Sequence, residues 1–380
     1  MDATPDLATV TYVSMDPLTS TVGSSQVLAY VERMARRGVD VDLVTFEHDV
    51  DADLGRRLSG LGIRWMPQRF GLRGPVGGLG RVLRAAWIIR GAAVVHARSD
   101  MAAAAAMLSG VDRWVWDVRS LWVDQKVASG VMRSGSFSER VMSWVERRAA
   151  FRSTAVITLT ESAVAELDRR YGGVVSPKAR VITTCVDLDR FGTSPMPPMP
   201  VRVLLAGTLN RYYDVRVMLN LVSELRNRRP VEFIVASPGI TDWEEELAGV
   251  EVVRISATPG EMPDLVSTCH LGLSVCRDDS GVSQLAAMPT KIGEFLASGR
   301  PVVVNPGLID AVDLLERHEC GVVYGSTSPT EIGEAVDQLE SMLVDPGLAE
   351  RCRSLAESHF DLDRGLDGLV VTYESVCGYR

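Results

Sequence analysis

Ala286–Asn305 reads AAMPTKIGEFLASGRPVVVN and sets Lys291 and Glu294 at helical spacing just before a buried strand. The pattern predicts a loop, a short helix, a stop at Gly299 and an apolar strand begun by Pro301. Lys291 falls in the first turn of that helix, where the helix dipole does not favour a cation. A lysine there makes sense if it meets an anion. Upstream, VRVLLAGTLNRYYDV sets Gly207 and Thr208 directly after a strand, with Arg211 in the loop. An arginine in that place either binds a phosphate through two parallel hydrogen bonds or is simply solvated.

The first part of the chain offers a second group. SMDPLTSTVGSSQVL runs from a strand into a helix. Gly23 permits close backbone approach, and Ser24 and Ser25 can cap the helix and donate to an anion. Such a helix start is either a phosphate site or a plain capped terminus. The loop is neither G-x-G-x-x-G nor a Walker loop, which argues against dinucleotide and ATP binding. Two further strands end in VVHARSD and WDVRSLWVD, gathering His96, Arg98, Asp117, Arg119, Trp122 and Asp124. Each alone reads as a surface ion pair or a half-buried side chain, but together they suit a cleft.

The elements that must position these residues alternate strand and helix, which implies parallel sheets covered by helices on both faces. The 380 residues predict two domains. Phe191–Pro200, FGTSPMPPMP, is the expected linker, since the strand–helix pattern restarts after it. The expected domains are residues 1–192 and 201–363 around a linker at 193–200, with a last helix at 364–380 packing back on the first domain. In doubly wound sheets ligands bind beyond the carboxyl ends of the strands.

Composition excludes several classes. A net charge of −9 gives no support for nucleic-acid binding, though it leaves room for a local basic pocket. The six cysteines form no C-x-x-C pair, so a reducing cytoplasm with buried thiols is expected, without a zinc site or a disulfide framework. The opening residues show neither a basic region nor a long apolar run, so no export signal is expected. Arg69–Gly91 carries Arg69, Arg73, Arg81, Arg84 and Arg90 among Leu, Trp and Ile. It reads either as a face for peripheral membrane contact or as a core helix with solvated arginines. The Ala/Arg/Val-rich composition points to a high-GC bacterium.

The segments GSSQVLAYVERMARRGVDVDLVTFE, VVHARSDMAAAAAM, WDVRSLWVDQK, VITLTESAVAEL, VITTCVDLDRF and MPTKIGEFLASGRPVVVN, in this order and spacing, resemble the family 4 glycosyltransferases. These are retaining enzymes of the GT-B fold, in which two doubly wound Rossmann-like domains face each other across a cleft. The resemblance implies a nucleoside-diphosphate sugar donor on the second domain and a small-molecule or lipid-linked acceptor on the first, with no metal or other cofactor. It places Gly207, Thr208, Met288, Pro289, Thr290, Lys291 and Glu294 against the donor. Gly23, Ser24 and Ser25 would close over the diphosphate. Glu294 maps to the acid that holds the ribose, a role suited to a carboxylate because it accepts two hydrogen bonds from a vicinal diol.

The chain departs from the family pattern at three places. Ala286 stands where a first acid usually faces the sugar. Thr208 and Tyr213 stand where an arginine and a lysine usually meet the diphosphate, so Arg211 and Lys291 are the substitutes. Arg119 stands where many relatives have a histidine, and it would stabilise charge rather than act as a base. His96, Arg98, Asp117 and Arg119 form the candidate catalytic group, with Asp117 and Asp124 as acceptor contacts. The departures keep two alternatives open: a partner subunit without turnover, and a sugar-nucleotide epimerase of the same fold.

Overall fold

The structure, a computed structural model, describes residues 8–237, 239 and 242–378. The first seven residues, part of the stretch searched for an export signal, lie outside the described residues, as do the side chains of Asp278 and Asp279. The chain divides into two compact units. One holds the residues up to Thr183 and those from Asp363 onward, and the other holds Thr184–Leu362.

The first unit is built on seven parallel strands: β1 (Val10–Val13), β2 (Val41–Glu47), β3 (Arg64–Arg69), β4 (Val94–Arg98), β5 (Trp114–Val118), β6 (Ala155–Thr158) and β7 (Ala179–Val181). Their order across the sheet is β3-β2-β1-β4-β5-β6-β7. The strand direction of growth reverses between β1 and β4, which are paired from Val10↔Val94 to Val13↔Ala97. The strands β1, β4, β5 and β6 are buried along their whole length, as strands covered on both faces should be, even though β4 and β5 carry His96, Arg98 and Asp117. Helices between them start and stop on ordinary signals. The helix Glu161–Tyr171 is capped by the Thr160 hydroxyl and ends at Gly172 in the left-handed region.

The second unit repeats the plan with six parallel strands: β8 (Val201–Ala206), β9 (Val231–Ala236), β10 (Val253–Ile255), β11 (Leu271–Ser274), β12 (Val302–Val304) and β13 (Gly321–Val323). Their order is β10-β9-β8-β11-β12-β13, so the reversal falls between β8 and β11. Val203, Leu205, Met218, Leu221, Phe233 and Leu273 form the core on one side of the sheet. On the other side the helix Thr290–Ala297 lies directly on β11. A side chain at Gly272 would meet the Phe295 ring at 2.2 Å, so the glycine is what lets this helix approach. That approach sets where Lys291 and Glu294 stand.

The Pro- and Met-rich stretch after Phe191 does not hang free. The buried Arg300 guanidinium donates to the carbonyls of Ser194 and Pro195 and to the Ser194 hydroxyl, and Arg353 donates to the Phe191 carbonyl. Both anchors belong to the second unit. Among the described residues no helix is long and apolar enough to cross a membrane.

Candidate active site

In the second unit the loops after β8 and β11 meet at the reversal point of the sheet. Asp214 N–H donates to Val275 O at 3.0 Å, and Arg277 N–H donates to Tyr212 O at 2.9 Å. The fully buried Asn305, just past β12, accepts from Cys276 N–H at 2.8 Å and donates to the Gln284 side chain. Gln284 in turn donates to Arg277 O at 2.7 Å. These bonds hold the mouth of the sheet in one arrangement.

Lys291 stands in that mouth. It is buried, and its ammonium sits 4.0 Å from the centre of the Tyr213 ring. A cation over an aromatic face is attracted by the ring quadrupole. The same nitrogen would be 3.6 Å from a Cβ on Gly207, whose φ of +111° lets the chain turn sharply off β8. Among the described residues Nζ has no hydrogen-bond partner. Burial draws its pKa down to about 8, against the opposing pull of Cys276 and Glu294. Glu294, one turn along, is shifted the other way: burial raises its pKa, while Lys291 and Arg190 lower it. The helix opens at Pro289 without a side-chain cap, so backbone donors and an ammonium share one end.

The other expected donor residues of this unit differ in exposure. Met288 is buried, and its carbonyl accepts from the Thr184 hydroxyl at 2.7 Å. Pro289 and Thr290 are half-buried at the helix start. Thr208 and Arg211 are exposed, and the Arg211 backbone is tied to the Asp242 carboxylate. Ala286 is fully buried, so an acid there would have to be desolvated. Ser283 is buried too and spends its proton on Ser280 O at 2.6 Å. A separate hollow of about 470 Å³, lined by Pro306, Tyr324, Glu331 and Glu334, involves none of the expected residues.

The first unit gathers its charges differently. His96 and Asp117 lie inside β4 and β5, not after them, and both are almost fully buried. His96 Nε2 is 3.1 Å from Asp117 Oδ2, and its Nδ1 is 2.9 Å from the Tyr373 hydroxyl. The imidazole stacks on the Tyr12 ring, with centroids 4.2 Å apart. Asp117 Oδ1 accepts from Arg119 Nη1 at 3.4 Å. Burial alone would raise the Asp117 pKa. The Arg119 charge and the His96 hydrogen bond outweigh it and hold the carboxyl below its ordinary value. Arg98 is buried and donates to Asp16 at 2.6 Å and to Gln26 at 2.9 Å, fastening the loop that follows β1. A small cavity of about 10 Å³ is lined by Tyr12, Gln26, Tyr30, His96, Asp117 and Arg119, among others.

One expectation for this unit needs correction. The helix after β1 begins at Thr21, and its cap is Ser20, whose hydroxyl accepts from Gly23 N–H. Ser24 and Ser25 are therefore inside the helix, where their hydroxyls donate back to Thr21 O. Gly23 does serve close approach, but to its own loop: a Cβ there would lie 1.9 Å from Pro17 O. Asp124 is held by Arg170 at 2.8 Å, in a network with Glu146 and Glu166.

Residues 23–190 match the family model described as Glycosyltransferase Family 4, and residues 200–341 match the model described as Glycosyl transferases group 1. Together the two models, one on each half of the chain, support a family 4 glycosyltransferase. Solved structures share its fold end to end. A glycosyltransferase from Rickettsia africae is 14% identical, with 98% of this chain and 99% of that one covered, at a TM-score of 0.69. Sucrose-phosphate synthase from Thermosynechococcus elongatus is 14% identical over 98% and 100%, at 0.71. HepE from Anabaena, in complex with UDP and glucose, is 15% identical over 97% and 100%, at 0.68. No curated protein matches the chain in sequence. The two parallel-sheet units are thus the two Rossmann-like domains of a GT-B glycosyltransferase.

Residues absent from the sequence expectation complete this glycosyltransferase's polar clusters: Tyr12, Asp16, Tyr30 and Tyr373 in the first unit, and Gln284 and Asn305 in the second. Asn305 ends the motif strand and could have been noticed as a polar residue after an apolar run. Tyr373 carries no local signal at all.

Proposed function

We propose that this glycosyltransferase takes its sugar from a nucleoside-diphosphate donor and transfers it with retention of anomeric configuration. The observation that carries the reading is Lys291: a buried ammonium, without a hydrogen-bond partner among the described residues, beside Gly207 and at a helix start. A diphosphate would supply the charge and the acceptors that this nitrogen lacks. Glu294 would accept the ribose hydroxyls. Charge builds on the leaving diphosphate as the anomeric carbon becomes oxocarbenium-like, so a fixed cation there favours the transition state. Arg119 and Asp117 would serve the acceptor. The complex of HepE with UDP and glucose supports a uridine donor as the first to test. Calorimetric titration with UDP, GDP, ADP, TDP and CMP should find one that binds, and Lys291→Met should weaken that binding about a hundredfold or more. If folded protein binds none of them, the reading fails.

A second observation supports contact with a membrane surface, from which a lipid-linked acceptor would be taken. On the helix Gly74–Ile88 the residues Val76, Leu79, Leu83 and Trp87 share one face, and all are exposed, Val76 at 76% and Trp87 at 68%. Arg69, Arg73, Arg84 and Arg90 are exposed around it, whereas Arg81 turns in to the carbonyls of Phe70 and Leu72. An apolar face ringed by arginine suits anionic lipid. Vesicles of phosphatidylglycerol and phosphatidylcholine should sediment with the protein, and Leu83→Glu should release it. Equal sedimentation of both proteins would count against this contact.

A further inference from the structure

We infer that Tyr373, on the helix Leu362–Cys377, is a positioning residue for Arg119 that acts through His96 and Asp117. The inference rests on the proposed function only for the part Arg119 plays in turnover. Four elements of the first unit contribute one group each: Tyr373 from the last helix, His96 from β4, Asp117 from β5 and Arg119 from the turn after β5. The contacts run Tyr373 Oη to His96 Nδ1 at 2.9 Å, His96 Nε2 to Asp117 Oδ2 at 3.1 Å, and Arg119 Nη1 to Asp117 Oδ1 at 3.4 Å.

The direction of each hydrogen bond follows from what each group can do. Asp117 is ionised beside Arg119, so it can only accept. His96 Nε2 must therefore carry a proton. With His96 neutral, Nδ1 is a lone pair that needs a donor, and the Tyr373 hydroxyl at 2.9 Å is that donor, the Met34 sulfur at 3.8 Å being the weaker acceptor within its reach. Tyr373 keeps its proton because burial raises its pKa well above the ordinary value. The phenol thus selects one tautomer of His96, and that tautomer holds one carboxylate oxygen of Asp117. The other oxygen is left to Arg119, in the fixed plane so defined. The relay resembles the carboxylate–histidine pairs that orient the groups bound to a metal, with the arginine at the working end. The Tyr12 ring stacked on His96 prevents the imidazole from turning away.

Tyr373→Phe removes the hydroxyl and keeps the ring packing. Nitrogen-15 spectra of histidine-labelled protein should show His96 as the Nε2–H tautomer in the parent chain. In Tyr373→Phe that signal should change, and the Arg119 Nε signal, read from arginine-labelled protein, should show faster local motion. Release of UDP from UDP-glucose should fall about tenfold in kcat with an unchanged KM, since Tyr373 touches no donor. Combining Tyr373→Phe with Arg119→Ala should cost little more than Arg119→Ala alone. Unchanged His96 and Arg119 signals in Tyr373→Phe would overturn the inference, as would fully additive losses in the double variant. If the parent protein releases no UDP, the donor assignment is what fails. The nitrogen spectra would still decide whether Tyr373 sets His96 and Arg119.

Discussion

Asp117 in the first unit and Lys291 in the second are both buried ions near the carboxyl end of a parallel sheet, and the chain treats them oppositely. Asp117 is met by His96 on one oxygen and Arg119 on the other. Among the described residues Lys291 meets the face of Tyr213 and no hydrogen-bond partner, with Glu294 as an opposite charge one turn along. A buried ion without hydrogen bonds is costly, so a fold keeps one where something else completes it. The first cluster is finished by the protein, and its product is a fixed geometry. On the proposed function the second is finished by the nucleoside diphosphate, and its product is affinity. The family pattern sharpens the point. Tyr213 stands at the position of an expected lysine, and the ammonium now reaches the same mouth from Lys291, resting on that tyrosine.

The largest expected effects separate the two ions. Lys291→Met should weaken nucleoside-diphosphate binding about a hundredfold or more, the scale of losing one partner of a buried ion pair. The same variant, without ligand, should melt at a higher temperature than the parent, because the desolvated charge is gone. Asp117→Ala should do the reverse to stability, costing about 3 kcal/mol by stranding His96 and Arg119, with calorimetric melting as the readout. A Lys291→Met protein that melts lower than the parent would break the comparison.

The pH dependences also run in opposite directions. The Lys291 pKa is lowered to about 8 from 10.5 in the folded chain, so the unfolded chain binds more protons between those values. Its contribution to stability therefore rises with pH across that window, and nucleotide affinity falls as pH passes about 8. Asp117 is held below its ordinary value of 3.8. Its contribution is fully present above that value and is lost as pH drops through the lower, folded one. Denaturant titrations of the parent, Lys291→Met and Asp117→Ala across pH 3–10 would resolve both.

How much of this was legible in the sequence follows the range of each interaction. Alternating runs such as VTYV and the helix stop at Gly172 are local, and local patterns predicted both sheets. The helix start after β1 was misplaced because Ser20, Ser24 and Ser25 are all competent caps, and only the backbone decides that Ser20 is used. Lys291 and Glu294 were visible because their helix and its glycine stop are contiguous. The first cluster was visible only as loose charges. His96 and Tyr373 are 277 residues apart, and Arg98 and Asp16 are 82 apart. No spacing rule joins them: the sheet order brings β4 beside β1, and the last helix returns to the first unit.

Glu294→Ala tests the ligand-completed side more gently. Its carboxylate is half-buried and near Lys291 and Arg190, yet it makes no hydrogen bond to a described side chain. Losing a charged acceptor for two hydroxyls should weaken binding of the nucleoside diphosphate about tenfold to a hundredfold. With the 2′-deoxy analogue, which keeps one of the two hydroxyls, the loss from parent to variant should be smaller. Folding should be intact, since the side chain supports no other residue. A variant that binds as the parent does would remove Glu294 from the ribose.

The smallest effect is expected at Arg211, and it decides how far the second cluster extends. Arg211 was paired with Lys291 as a replacement cation, but the two differ in burial. The Arg211 side chain is exposed, and what anchors the residue is its backbone N–H on Asp242 at 3.1 Å. An exposed guanidinium is screened by water and salt, and ordering its long side chain around an anion costs entropy. Arg211→Ala should therefore weaken nucleotide binding only about twofold at 0.15 M salt, against the hundredfold of Lys291→Met. The twofold effect should vanish at 1 M salt, where screening reaches within about 3 Å, while the Lys291 effect persists. If Arg211→Ala proves as damaging as Lys291→Met, the loop after β8 folds onto the ligand, and the exposed arginine belongs to the site as fully as the buried lysine.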